Sequence, residues 1–339
     1  LILFTFIIIL EDSGYISRAA FLMDKLMRGM GLSGQSFIPM LSSFACAIPG
    51  IMGTRIIADK HDRLATILAA PFMTCAARLP VYSLLIGAFI PNHHIFGGII
   101  YLQGLVLLGL YLLGIVGGAL TAWLISRIFW SRKKSGFLLE MPPYRLPSFR
   151  SICLKLWSRA TTFLKRAGTI IFAVSLVIWL LASFPQNSQD TEIIHDRTPA
   201  LVDSYLGKMS RTVSPLFTPL GWDWKVTAAV IASFPAREVV IAALGTIYAV
   251  DVEADQELTT LSAKIRAETH ADGRPVYTIP MVLGLLIFYA LCLQCMATVA
   301  VIKKETGSWG WASFSWVYMT SLGYIGALMV YQIGSSNLL

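Results

Sequence analysis

Cysteines are the residues of this chain best suited to chemistry. Cys46 lies in residues 34–55, an apolar stretch interrupted by Pro39 and Pro49 and by glycines at 34, 50 and 53. Cys75 follows in the next apolar run, between Pro71 and Pro80, with Arg78 close behind it. Cys292 and Cys295 stand three apart in a later run, a spacing that would put both sulfurs on one face of a helix. Thiolates and thioethers favour soft or borderline metals, such as ferrous iron, zinc or cuprous copper, over magnesium or calcium. Met52, Met73 and Met296 stand near these thiols and could contribute weakly. A single cysteine in an apolar run is ordinarily a small hydrophobe, so packing and metal ligation both stay open on residue type alone.

Charges set in apolar segments are the second group, because burying an unpartnered charge in a membrane costs several kcal/mol. Arg237 and Glu238 occupy the middle of a second interrupted stretch, residues 226–250, beside Pro235. They read equally as a transport site and as an ion pair or helix-end partner that keeps the interruption in shape. Arg78 is better suited to neutralising carbonyls or a carboxylate than to touching a cation. Glu11 and Asp12 close the first apolar run, where an interfacial role is the simpler reading. His93 and His94 fall in a short turn that reads as solvated.

These residues need a membrane scaffold. Hydrophobic residues make up 56% of the chain, charged residues 14%, and the mean hydropathy is +0.67; soluble chains carry roughly 25% charge. The apolar runs are continuous, without the alternation of a β-barrel. The expected fold class is therefore all-α, a polytopic helical membrane protein. The net charge of +8 reads as a topology signal in loops, not as nucleic-acid binding. Five cysteines without secreted spacing imply free thiols.

Spans are expected at residues 64–90, 99–126, 168–184, 279–302 and 311–334, with amphipathic interfacial helices after residue 14 and over 154–167. Residues 127–166 hold ten Lys/Arg against one acid, Glu140, which places that loop in the cytoplasm. Residues 185–225 and the acidic 251–275 are placed outside. Basic residues stay inside only if each interrupted stretch dips into the membrane and returns to its own side. Two such re-entrant elements of opposite orientation are what an inverted repeat predicts.

Residues 11–21, 34–55, 70–78, 234–240, 244–248 and 304–309 resemble, in order, the membrane domain of the ferrous iron transport protein B (FeoB) family. The resemblance implies Fe²⁺ import across the bacterial inner membrane through two gate segments. It implies Cys46, Cys75 and Cys295 as iron ligands. Pro49, Met52, Arg78, Pro235, Arg237, Glu238 and Asp12 are carried as pathway or structural candidates. On this reading 1–339 is a permease domain, with 34–126 a first gate half, 127–167 the basic loop with its interfacial helix, and 168–339 a second gate half. Members of the family carry a GTP-binding domain. No Gly-x-x-x-x-Gly-Lys-Ser/Thr loop occurs here, so GTP is expected to act only through a domain outside this stretch, and no enzyme activity is assigned to these residues. With Leu1 inside an apolar run, the chain reads as a piece of a longer protein. Expected partners are Fe²⁺, the lipid bilayer, that GTP-binding domain and a possible second copy of the chain, but no nucleic acid. The alternatives are a gate-fold carrier of nucleosides or other organic solutes, and a membrane scaffold or receptor that transports nothing.

Overall fold

A computed structural model describes residues 2–95, 100–129, 148–184, 204–237, 239–248, 257–269 and 275–336. Its architecture is all-α, as expected. Among the described residues the extended pairings are a two-residue ribbon, β1 (His94–Ile95) with β2 (Ile100–Tyr101), and one bridge, Thr269 to Pro275.

Helix α1 (Ile2–Asp12) leads through Gly14, whose φ of 78° suits only glycine well, into α2 (Tyr15–Gly29). Helix α2 is amphipathic: Phe21, Leu22 and Leu26 are exposed, whereas Ala20 and Met27 are buried. Its apolar outer face suits an interfacial position. The Asp24 carboxylate then accepts a hydrogen bond from the Gly34 N–H at 3.0 Å, fixing the entry to the first interrupted stretch.

That stretch folds as a helical hairpin. Helix α3 (Phe37–Ala45) ends at Cys46, which is extended at φ −160°, ψ 134°, and α4 (Ala47–Gly53) runs back along it. The two helices touch so closely that a Cβ on Gly50 would sit 1.9 Å from Ser43 Oγ and 2.8 Å from the Pro39 carbonyl. Pro39 and Pro49 each fall in a first helical turn, where the N–H has no intrahelical acceptor and proline is tolerated. The break itself belongs to Cys46.

Asp59 caps α5 (Lys60–Ala69) by accepting from the N–H groups of His61 and Asp62 at 2.7 and 3.1 Å. A tight turn at Ala70–Phe72 follows, then non-helical residues 73–75, another tight turn, and α6 (Leu79–Phe89). Lys60–Phe89 is long and apolar enough to cross a membrane, and it is broken in the middle. Helix α7 (Leu102–Phe129) runs 28 residues without interruption. Ser148 caps α8 (Phe149–Phe163), which begins before the expected interfacial helix, and a π-turn joins it to α9 (Thr169–Ser183). Phe172, Val177 and Trp179 on α9 are exposed, a face fit for lipid.

In the later half, α10 (Tyr205–Phe217) packs on α11 (Trp224–Ala232), which folds back against α12 (Val239–Ile247) as a second hairpin. The acidic stretch contains a helix, α13 (Glu257–Ala267), that packs on α6 through the Arg266 guanidinium and the carbonyls of Gly87 and Ala88. Helices α14 (Ile279–Leu291) and α15 (Met296–Thr306) make up the candidate span Ile279–Thr306. They are separated by non-helical residues 292–295, so the expected unbroken span is corrected: Cys292 and Cys295 share no helix face. Helix α16 (Trp309–Ser336), again 28 residues, closes the fold.

The chain forms two compact units. Unit 1 comprises Leu1–Ala76, Tyr111–Thr169 and Ala297–Val317; unit 2 comprises Ala77–Leu110, Ile170–Met296 and Tyr318–Leu339. The order hairpin, broken span, 28-residue helix occurs twice along the sequence.

Candidate functional site

Helix breaks leave carbonyls and N–H groups without intrahelical partners, and in each unit a hairpin packs on the part of a broken span that the unit contains. In unit 1, α3 and α4 both pack against the Ala70–Phe72 turn. The half-buried thiols of Cys46, at the hairpin apex, and of Cys75, three residues beyond that turn, thus sit on adjoining elements. Helix α7 backs this break with bare backbone. A Cβ on Gly114 would lie 2.7 Å from the Phe72 carbonyl and 3.2 Å from Thr74 Oγ1, and one on Gly118 would lie 3.3 Å from the Ala69 carbonyl.

The end of hairpin 1 is tied by charge. Arg55 donates to both Glu305 oxygens, Nε at 2.9 Å and Nη2 at 2.6 Å, and Arg63 Nη2 donates to the same carboxylate at 3.0 Å. Only 2% of the Glu305 side chain is exposed. Asp12 pairs with Lys155 on α8. That hydrogen bond holds its carboxyl below the usual aspartate range.

Unit 2 repeats the pattern with different chemistry. The apex of hairpin 2 docks on the end of α14: Ser233 Oγ lies 3.1 Å from the Tyr289 hydroxyl, and the buried Arg237 donates to the carbonyls of Tyr289 at 3.0 Å and Cys292 at 2.6 Å. Pro235 is buried in the same apex. A buried guanidinium at a helix C-terminus satisfies carbonyls that the break has freed and complements the helix dipole. Arg78 is 1% exposed, in the neighbourhood of the Cys292 thiol. That thiol donates to Thr320 Oγ1 at 3.5 Å. Gly323 of α16 brings bare backbone to within 3.2 Å of the Cys292 nitrogen, measured from a Cβ built on it.

The sequence-derived residues therefore divide. Cys46, Pro49, Met52 and Cys75 belong to unit 1 and its hairpin-on-break contact. Arg78, Pro235, Arg237 and Cys295 belong to unit 2. Glu238 lies outside the described residues. Among the described residues no three His, Cys, Asp or Glu side chains gather as a metal cluster. Sequence reasoning passed over Gln294, 1% exposed between Cys292 and Cys295, and the Arg55–Arg63–Glu305 cluster. A lone amide in an apolar run and an acid directly after Lys303 and Lys304 were the available signals.

These features define a helical membrane protein with paired helix interruptions. The profile of a family described as "Gate: Nucleoside recognition" matches residues 1–89 and 164–309, and one described as "Ferrous iron transport protein B C terminus" matches residues 107–159. The chain belongs to the Gate family. It is 42% identical over 339 residues to the Fe(2+) transporter FeoB of Leptospira interrogans, covering 98% of this chain and 48% of that protein. It is 35% identical over 333 residues to the Fe(2+) transporter FeoB of Methanocaldococcus jannaschii, covering 98% and 46%. A Porphyromonas gingivalis Fe(2+) transport protein A/Fe(2+) transporter FeoB fusion protein is 38% identical over 361 residues, covering 98% and 42%. The likeness to the FeoB family expected from the motifs is thus shown. The chain spans about half the length of these relatives. No solved structure matches it.

Proposed function

We propose that this chain is the membrane permease portion of a ferrous iron importer, multi-pass in the bacterial inner membrane. Fe²⁺ passes the helix breaks, held transiently by the thiols of Cys46, Cys75 and Cys295 with help from freed carbonyls. The observation that carries this reading is the hairpin-on-break contact of unit 1, which sets Cys46 and Cys75 on adjoining elements. Few, exchangeable ligands suit conduction, because a closed high-affinity site would trap the ion. Nucleotide binding is assigned to a domain outside these residues, and self-association to the assembled transporter.

Counting the spans expected from the sequence at residues 64–90, 99–126 and 168–184, hairpin 2 enters the membrane from the opposite side to hairpin 1. Cysteines introduced at Ala58 and Ala271 should label from opposite sides; labelling of both from one side contradicts this arrangement.

The central test is uptake of radiolabelled Fe²⁺ by the full-length protein in proteoliposomes, with and without nucleotide. Wild-type protein should accumulate iron, and Cys46→Ser or Cys75→Ser should insert normally yet lose at least tenfold in uptake. Wild-type rates in both variants would remove the thiol mechanism. Block of uptake by excess nucleoside would favour the organic-solute reading instead.

A further inference from the structure

The break at residues 292–295 contains a polar group that nothing above employs. Gln294 is 1% exposed, and neither Oε1 nor Nε2 of its carboxamide makes an aligned hydrogen bond within the chain. Its neighbours give the amide a direction. Ser233 Oγ donates to the Val230 carbonyl at 2.7 Å, so its proton is used. The Tyr289 hydroxyl, 3.1 Å away, must then donate to Ser233 Oγ. That leaves the Tyr289 oxygen as an acceptor, and the end of the neighbouring Gln294 carboxamide that complements it is the N–H side. Its carbonyl oxygen is the end left over. Arg237, holding the Tyr289 and Cys292 carbonyls, fixes the backbone on which Gln294 stands.

A buried amide oxygen without a donor is costly, and an apolar side chain of the same shape would be no worse for folding. Its place beside Cys295 is accounted for if a cation meets it. We propose that the Gln294 side-chain carbonyl is an oxygen ligand for the transported divalent cation, which makes Gln294 a specificity-determining residue of the pathway. This deepens the transport reading above and rests on it. A neutral oxygen next to a thiol binds weakly enough to release its ion. It also shifts the donor set from one that suits soft cations toward one that suits borderline and harder ones, such as Fe²⁺ and Mn²⁺.

The test uses the full-length protein in proteoliposomes, under anaerobic conditions, with two variants. Gln294→Leu keeps the volume and removes the oxygen. Gln294→Glu keeps an oxygen and adds charge. Two quantities are read: initial Fe²⁺ uptake, and the Fe²⁺ concentration that half-protects Cys295 from alkylation, followed on its peptide by mass spectrometry. Gln294→Leu should melt at or above the wild-type temperature, lose at least tenfold in uptake, and need several-fold more Fe²⁺ for protection. It should also lose discrimination against Zn²⁺. Gln294→Glu should be protected at several-fold lower Fe²⁺. Wild-type uptake by Gln294→Leu overturns the proposal; if that variant does not insert, an unchanged protecting concentration in Gln294→Glu overturns it equally. Failure of the wild-type protein to take up Fe²⁺ at all would strike the transport reading itself, a result distinct from either.

Discussion

Arg237 Nη2 lies 2.6 Å from the carbonyl oxygen of Cys292. A residue from the apex of the second hairpin thereby closes the end of a helix in the following span, and the arginine's other arm reaches the Tyr289 carbonyl one turn earlier. Of the two sequence readings of this arginine, the helix-end partner is the one that its geometry supports.

Removing that guanidinium strands two buried carbonyls, each costing on the order of 1–3 kcal/mol. Arg237→Leu should therefore destabilise the protein by about 3 kcal/mol, measured as a fall in thermal midpoint in detergent. Arg237→Lys, with a single ammonium in place of the fork, should recover only part of the loss.

The Glu305 carboxylate holds two arginines, one at the end of hairpin 1 and one on α5. Glu305→Gln keeps the shape, removes the charge, and leaves Arg55 and Arg63 facing each other. Because Glu305 is buried and both arginines are partly exposed, a loss of roughly 2 kcal/mol is expected, between exposed and buried pairs. Added salt should weaken wild-type stability more than that of the variant.

Gly114 and Gly323 differ in what a methyl group would strike. At Gly114 it meets the Phe72 carbonyl at 2.7 Å, fixed backbone, whereas at Gly323 the nearest atoms lie at 3.2–3.3 Å. Gly114→Ala should cost about 1–3 kcal/mol, as overpacking does, and perturb the break that carries Cys75. Gly323→Ala should cost less. Equal thermal midpoints for the two would contradict the assigned contacts.

Acid should release the Asp12–Lys155 tie. The Lys155 hydrogen bond lowers the Asp12 carboxyl in the folded protein. Its contribution is then present above the unfolded carboxyl range and is lost as pH falls through the lower, folded value. The pair is partly exposed, so Lys155→Ala should cost only roughly 0.5 kcal/mol at neutral pH and nothing measurable in strong acid. A cost that grew on acidification would contradict the pairing.

Much of this scaffold was legible in the sequence, because apolar length and charge placement act locally. Helix α7, α9 and the interfacial α2 follow from runs and periodicity alone. The break at residues 292–295 did not announce itself, since it contains neither proline nor glycine. It is held open by Arg237, far away in sequence, and by α16 pressing bare backbone at Gly323. Pro39 and Pro49 pointed to the first hairpin yet mark the starts of its helices, while the reversal falls at Cys46. The thiols could be singled out by type. Gln294 could not, because its significance lies in the hydrogen bonds that its neighbours have already used.

The arms of the first hairpin have 9 and 7 residues, about 13 and 10 Å at 1.5 Å per residue, against a hydrocarbon thickness of ~30 Å. On the transport reading proposed above, such an element entering from one face would bring its thiol-bearing tip to about mid-depth, and water reaching that tip would shorten the dry path. An ion reaching Cys46 would then cross only a fraction of the insulating layer unaided, and the membrane voltage would fall steeply over that short stretch. Uptake through it should therefore respond to an imposed potential as a single concentrated charge movement.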